Sequence, residues 1–187
     1  DWVRYQGSPG APFTTSGTFR GIPVPFTGTG LFLSVNNRGT GIPGGDAWTP
    51  GGSLSAVGSS INIVAAALPG EQRVTVTPAP AFTADSPRRR AYLVSGPVTF
   101  LCNEAAGTVS RYTGYSLASA HSARDTHAEL VAAGASVRLL AQDITGCSFT
   151  AGAASQWASQ VVSVRFTASR AGDLFEVADQ IALENLP

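Results

Sequence analysis

Apolar residues take every second position near the C-terminus of this chain. Val162, Val164, Phe166 and Ala168 alternate with Ser163, Arg165 and Thr167, and beyond a turn at 170–173 the period resumes in Phe175, Val177, Ile181 and Leu183. A period of two is that of a half-buried strand, so this stretch predicts two antiparallel strands joined by a short loop. Upstream, "LFLSV" (31–35), "SINIVAAAL" and "QRVTVTPAP" read as strands, the last two split by the turn signal Pro69-Gly70. "YLV" (92–94) and "VTFLC" (98–102), interrupted by Gly96-Pro97, lead through a turn at 103–107 to a partner strand at 108–112, a hairpin with Cys102 at the end of its first arm. The proline-rich stretch 77–87 is a connector. One segment has helical character: "DTHAELVAAG" (125–134) offers Asp125 as a cap, Glu129 as first-turn negative charge and Gly134 as a stop, with room for about two turns. Residues 1–30 are thick with Gly, Pro, Ser and Thr, which predicts irregular structure with short strands. The expected fold class is mainly β, or α+β, with antiparallel sheets, hairpins and one short helix.

Length adds a domain count. At 187 residues the chain fits one domain with a proper core, and a single unit over 1–187 is expected. Only 13% of residues are charged and the formal net charge is zero, so no long-range field is available to hold nucleic acid. The polar surface must be built largely from Ser, Thr, Asn, Gln and Gly. No run approaches the roughly 20 apolar residues that span a bilayer. Two cysteines, Cys102 and Cys147, are the only thiols. In an exported protein the pair reads as one disulfide closing a loop of about 45 residues, worth roughly 3 to 4 kcal/mol; in a cytosolic one it reads as two buried thiols. The low charge and Ser/Thr richness favour the first.

Several patterns carry candidate chemistry. Gly39, Gly41 and Gly44 have the spacing of a dinucleotide loop, but Pro43 removes an amide and 46–52 cannot form the helix such a loop opens, so no cofactor is expected. Ser116 within "GYSLA", with His121, Asp125 and His127 nearby, loosely has the form of a nucleophile elbow. An elbow needs strand–helix alternation that this chain lacks, and a non-enzymatic protein is expected. The same histidines with Asp125 and Glu129 lack the tight pairing of a zinc site, so no metal is expected. Arg88, Arg89 and Arg90 follow a proline and precede a strand; they read as a partner contact or as charge guarding an exposed sheet edge. Trp48 and Trp157, in loops of small residues, read as partner or sugar-stacking contacts, or as covers for a corner of the core.

Read in order, "LFLSVNNRGTGIPGGDAW", "RRRAYLVSGPVTFLCNEAAGTVSRYTGY", "LLAQDITGCSFT" and "VVSVRFTASRAGDLFEVADQIALENLP" resemble segments of type IV pilus minor pilins. The similarity is to the MshO-like proteins of mannose-sensitive haemagglutinin (MSHA) type pili, relatives of the J-type pseudopilins of type II secretion, and it covers most of 31–187. What the resemblance implies is a pilin-like head, with an antiparallel sheet packed on a long N-terminal hydrophobic helix, and a role in initiating or capping the fibre. That helix and its methylation motif are absent from this sequence, so the chain is expected to be a soluble truncated head. The whole protein would start in the bacterial inner membrane and periplasm and end in the extracellular pilus, with other minor pilins and the major pilin as partners. The resemblance also implies a bridge from Cys102 to Cys147, stapling the hairpin to the "LLAQDITGC" segment, with the arginines at an edge or a subunit contact. The alternative from another class is an adhesin-like surface module that binds a glycan or other surface ligand through Trp48 and Trp157.

Overall fold

The computed structural model describes residues 2–38, 42–48, 52–117, 120–151 and 160–183, with the side chains of Trp2, Gln160 and Leu183 excepted. The protein is mainly β, with antiparallel sheets and one short α-helix among the described residues. It forms two compact units, 1–96 and 97–186. The division falls at Gly96-Pro97, where neither residue adds to a central β-ladder: glycine has no side chain to pack and proline no N–H to donate.

The first unit is a seven-stranded sheet built from β1 (Trp2–Gln6), β2 (Phe13–Ser16), β3 (Phe26–Gly28), β4 (Phe32–Val35), β5 (Ser60–Ala65), β6 (Gln72–Thr77) and β7 (Arg90–Val94). Their order is β3-β5-β6-β2-β1-β7-β4, with every neighbouring pair antiparallel. One face collects the alternating apolar residues: Val3 and Tyr5, Leu33 and Val35, Ile61 and Ile63, Val74 and Val76, joined by Phe13, Phe19 and Ala91. The register stacks them across strands, Val3 opposite Ala91, Ile63 opposite Val74, Leu33 opposite Leu93. Residues 1–30 thus do more than the irregular segment expected of them. Their strands are short, but β1 and β2 sit in the middle of the sheet, and their alternation of Val3, Tyr5, Phe13 and Thr15 is broken by turns too soon for the period to stand out in sequence.

Two buried polar side chains fix the β2–β6 corner. The Gln72 Oε1 accepts from the Phe19 N–H at 3.0 Å, and the Thr15 Oγ1 accepts from the Gln72 N–H at 3.0 Å while donating to the Gly17 carbonyl at 2.6 Å. Both residues are almost fully enclosed, and hydrogen bonding is what makes that enclosure tolerable.

The second unit holds two three-stranded sheets. One is β10 (Ser136–Ala141), β9 (Thr108–Thr113) and β8 (Val98–Asn103). The other is β11 (Ile144–Ala151), β12 (Gln160–Arg170) and β13 (Asp173–Leu183). The predicted hairpins are present: β8 runs antiparallel to β9, and β12 to β13 without a register shift. Ala171 and Gly172 at φ 54° and 93° make the latter turn, the two left-handed residues of a type I′ hairpin, whose twist matches that of the strands. The helix α1 (His127–Ala132) buries Leu130 beside a small core of Val109, Tyr112, Tyr115 and Ile144. Its cap is Thr126 rather than Asp125. The Thr126 Oγ1 accepts from the Glu129 N–H while the Glu129 Oε2 accepts from the Thr126 N–H, a reciprocal box that a side chain one residue earlier does not close.

Cys102 on β8 and Cys147 on β11 are joined in a disulfide. It ties the two sheets of the second unit together across 45 residues of sequence. Both cysteines are half-buried. The first residues of β11 are held further by Glu104, whose Oε1 accepts from the Cys147 N–H at 3.1 Å. No helix among the described residues is long and apolar enough to cross a membrane.

Candidate functional site

The three arginines sit where a turn enters β7. Ser86 begins a β-turn with Pro87 and Arg88 at its centre, closed by the Arg89 N–H donating to the Ser86 carbonyl at 2.9 Å; proline's fixed φ suits the first central position. Arg89 then takes φ 51°, which turns the chain so that its carbonyl accepts from the Tyr5 N–H at 2.9 Å. The Arg90 N–H donates to the Ser86 Oγ at 3.0 Å. Beneath the turn, Tyr5 Oη donates to the Asp85 carboxylate, and Asp85 also accepts from the Ser86 N–H at 2.9 Å. The turn is therefore fastened to β1 on both sides.

Once in the strand, Arg90 lies directly opposite Arg4 in the β1–β7 register, and Arg4 in turn lies opposite Ser16. These positions alternate with Val3, Tyr5 and Ala91, so Arg4 and Arg90 occupy the face of the sheet away from the apolar core. The result is an open groove of about 640 Å³ lined by Arg4, Tyr5, Gln6, Ser16, Pro87, Arg88, Arg89 and Arg90. Among the described residues, the guanidiniums of Arg4 and Arg89 make no ion pair. The guanidiniums of Arg4 and Arg89 offer planar N–H forks to carboxylates, and the like charge gathered around this groove favours the arrival of a counter-charge.

Of the three only Arg90 belongs to a strand, and the edge-guard expectation does not hold for it, because β7 is an inner strand between β1 and β4; Arg88 and Arg89 lie in the turn before it. Arg4 and Arg90 lie on inner strands of the sheet, on its polar face. Sequence reasoning missed Arg4, Gln6 and Ser16 as members of the group. The signal was present in "WVRYQ", where Arg4 falls between Val3 and Tyr5 and so must face away from them.

The remaining candidates are scattered. Trp48 is partly buried in a turn, with its N–H donating to the Asp46 Oδ1 at 2.8 Å. Trp157 lies outside the described residues, as do Gly39 and Gly41. Ser116 accepts at its Oγ from Arg124 Nη2 at 3.3 Å. His127 Nδ1 shares a 2.7 Å hydrogen bond with Tyr112 Oη, which ties α1 to β9. Glu129 is committed to the helix cap; the Thr126 hydrogen bonds lower its pKa from the ordinary 4.5. Among the described residues no group of three or more His, Cys, Asp or Glu side chains is placed to hold a metal ion.

No protein-family model, curated protein or solved structure matches this chain.

Proposed function

We propose that this chain is a non-enzymatic minor pilin or pseudopilin subunit, which helps initiate or cap a type IV pilus of the MSHA type through contacts with other pilin subunits. The observation that carries the reading is the Cys102–Cys147 disulfide. It joins the two stretches, "VSGPVTFLC" and "LLAQDITGC", that carry much of the sequence resemblance, and a single bridge of this kind suits an exported protein. The mainly β architecture agrees with a pilin-type head. The arginine groove would supply the contact surface: Arg4 and Arg89 would receive acidic side chains of a neighbouring subunit, with Arg88 and Arg90 lining the same groove.

The test is co-purification of this chain with the other minor pilins of its own genome. Capture is expected for the unaltered protein and reduced capture for a variant carrying Arg88→Ala and Arg89→Ala. Piliation should fail or fall in a strain lacking the gene. Absence of any pilin partner together with normal piliation would refute the reading.

A further inference from the structure

The β13 strand forms one edge of its sheet, and among the described residues nothing pairs with its outer side. Arg170 and Asp173 flank a two-residue type I′ turn and therefore exchange the first pair of ladder hydrogen bonds. Counting along the unbroken register, the N–H and C=O groups of Leu174, Glu176, Ala178, Gln180 and Ala182 point away from β12. The Gln180 N–H accordingly donates to the side chain of Asp179, at 2.8 Å, instead of to β12.

Proteins commonly blunt such edges with short strands, bulges, prolines or charged side chains, lysine above all. The first unit does so. The edges of the seven-stranded sheet are β3, of three residues, and β4, of four, the latter further covered by backbone bonds to Ser53 and Ser55. On the far side of the same sheet, β11 gives its Cys147 N–H to Glu104. By contrast β13 has eleven residues, no proline and no bulge, its charges, Asp173, Glu176 and Asp179, are all acidic, and it exposes Leu174, Phe175, Val177 and Ile181 by 49–69%.

Its charges say what fits. Glu176 is engaged by Arg165 through both carboxylate oxygens, at 2.6 and 2.7 Å, but Asp173 and Asp179 make no ion pair among the described residues. A second copy of β13 is a poor occupant. In every two-fold antiparallel register centred on residues 175 to 180, a carboxylate of one copy falls opposite or diagonal to a carboxylate of the other, an unfavourable contact. An incoming strand that took the Gln180 N–H would also release the Asp179 carboxylate and leave it needing a cation.

We infer that the outer edge of β13 receives an extended segment of another polypeptide, with apolar side chains beside Phe175, Val177 and Ile181 and an arginine or lysine beside Asp179. This surface is distinct from the arginine groove and does not depend on the pilin reading. Backbone hydrogen bonds would supply the affinity and the basic residue the register.

The probe is a fluorescent nonapeptide with valine at odd positions, threonine at even positions and arginine in place of the central valine; its control carries glutamate there. By anisotropy the arginine peptide should bind saturably, and the glutamate peptide about tenfold more weakly. Amide exchange at Glu176 and Ala178 should slow on binding. Ala178→Pro deletes an outward N–H while leaving the bonds to β12, and should abolish binding with the circular dichroism spectrum unchanged. Asp179→Arg, an exposed change of charge, should reverse the preference between the two peptides. No saturable binding, equal binding of the two peptides, unaltered exchange at these amides, or full binding by a folded Ala178→Pro variant would overturn the inference. Self-association that Ala178→Pro removes would also overturn it, by giving the edge to a second copy.

Discussion

Replacing both cysteines of the second unit by serine tests the part of the fold that depends most on a covalent tie. The bridge closes a loop of 45 residues, and the chain-entropy relation then gives about 13 cal/mol/K of lost unfolded-state freedom, or about 4 kcal/mol at room temperature. The unit has little else to compensate. Among the described residues its buried apolar side chains are Val109, Tyr112, Tyr115, Leu130 and Ile144, whereas the first unit encloses a cluster that runs through β1, β2, β4, β5, β6 and β7. Both cysteines are only half-buried, so the serine hydroxyls add a small desolvation cost of their own. Amide hydrogen exchange is the assay, read strand by strand. In Cys102→Ser/Cys147→Ser, amides of β9 and α1 should exchange about a thousandfold faster, the factor that about 4 kcal/mol corresponds to. Amides of β5 and β6 should keep their protection, since their core is separate. A loss below about 1 kcal/mol in the second unit would refute the entropic argument. Equal loss in β5 and β6 would refute the assignment of the bridge to one unit's stability.

Other perturbations should act locally. Gln72→Leu leaves the Phe19 N–H buried without its 3.0 Å acceptor and should cost about 1–3 kcal/mol in urea unfolding of the first unit. Arg4→Thr removes the like charge opposite Arg90 and should be neutral to stabilising, by up to about 1 kcal/mol, with the gain shrinking as salt is added; a clear loss at low salt would contradict the repulsion. The Glu129 carboxyl, with its folded-state pKa lowered by the Thr126 hydrogen bonds, should help hold α1 above its unfolded value of 4.5 and progressively lose that contribution as pH falls through the lower folded value. An NMR titration should place the Glu129 midpoint below that of an exposed glutamate, and Thr126→Ala should return it towards 4.5.

The strands of long period were legible in sequence. β12 and β13 announce themselves by alternation, and β5 and β6 by apolar runs on either side of Pro69-Gly70. The contribution of residues 1–30 was not, because Val3, Tyr5, Phe13 and Phe19 are separated by turns and each run is too short to establish a period. Nor does local pattern state which strands become neighbours. β7 and β8 look like two halves of one interrupted arm, yet β7 pairs with β1 and β4 while β8 pairs with β9. That outcome follows from tertiary pairing, which residues 92–102 do not encode by themselves. The site shows the same limit. Arg88, Arg89 and Arg90 were visible as a cluster, but Arg4 joins them only through the antiparallel β1–β7 register.

The outer strands of the first unit and β13 of the second treat their exposed backbone in opposite ways, and the difference bears on where contacts with other molecules would belong. In the first, short outer strands and the bonds to Ser53 and Ser55 leave little backbone to recruit a partner, so recognition there would have to rely on side chains such as those lining the arginine groove. In the second, β13 offers a long, regular row of donors and acceptors flanked by exposed Phe175, Val177 and Ile181. Lysine is the commonest charged guard of such an edge. The sequence has instead Asp173, Glu176 and Asp179, which disfavour self-pairing while leaving the edge open to a basic strand. Side-chain recognition on one unit and backbone recognition on the other would give a single chain two chemically different contacts, the minimum needed to link two distinct neighbours in an assembly.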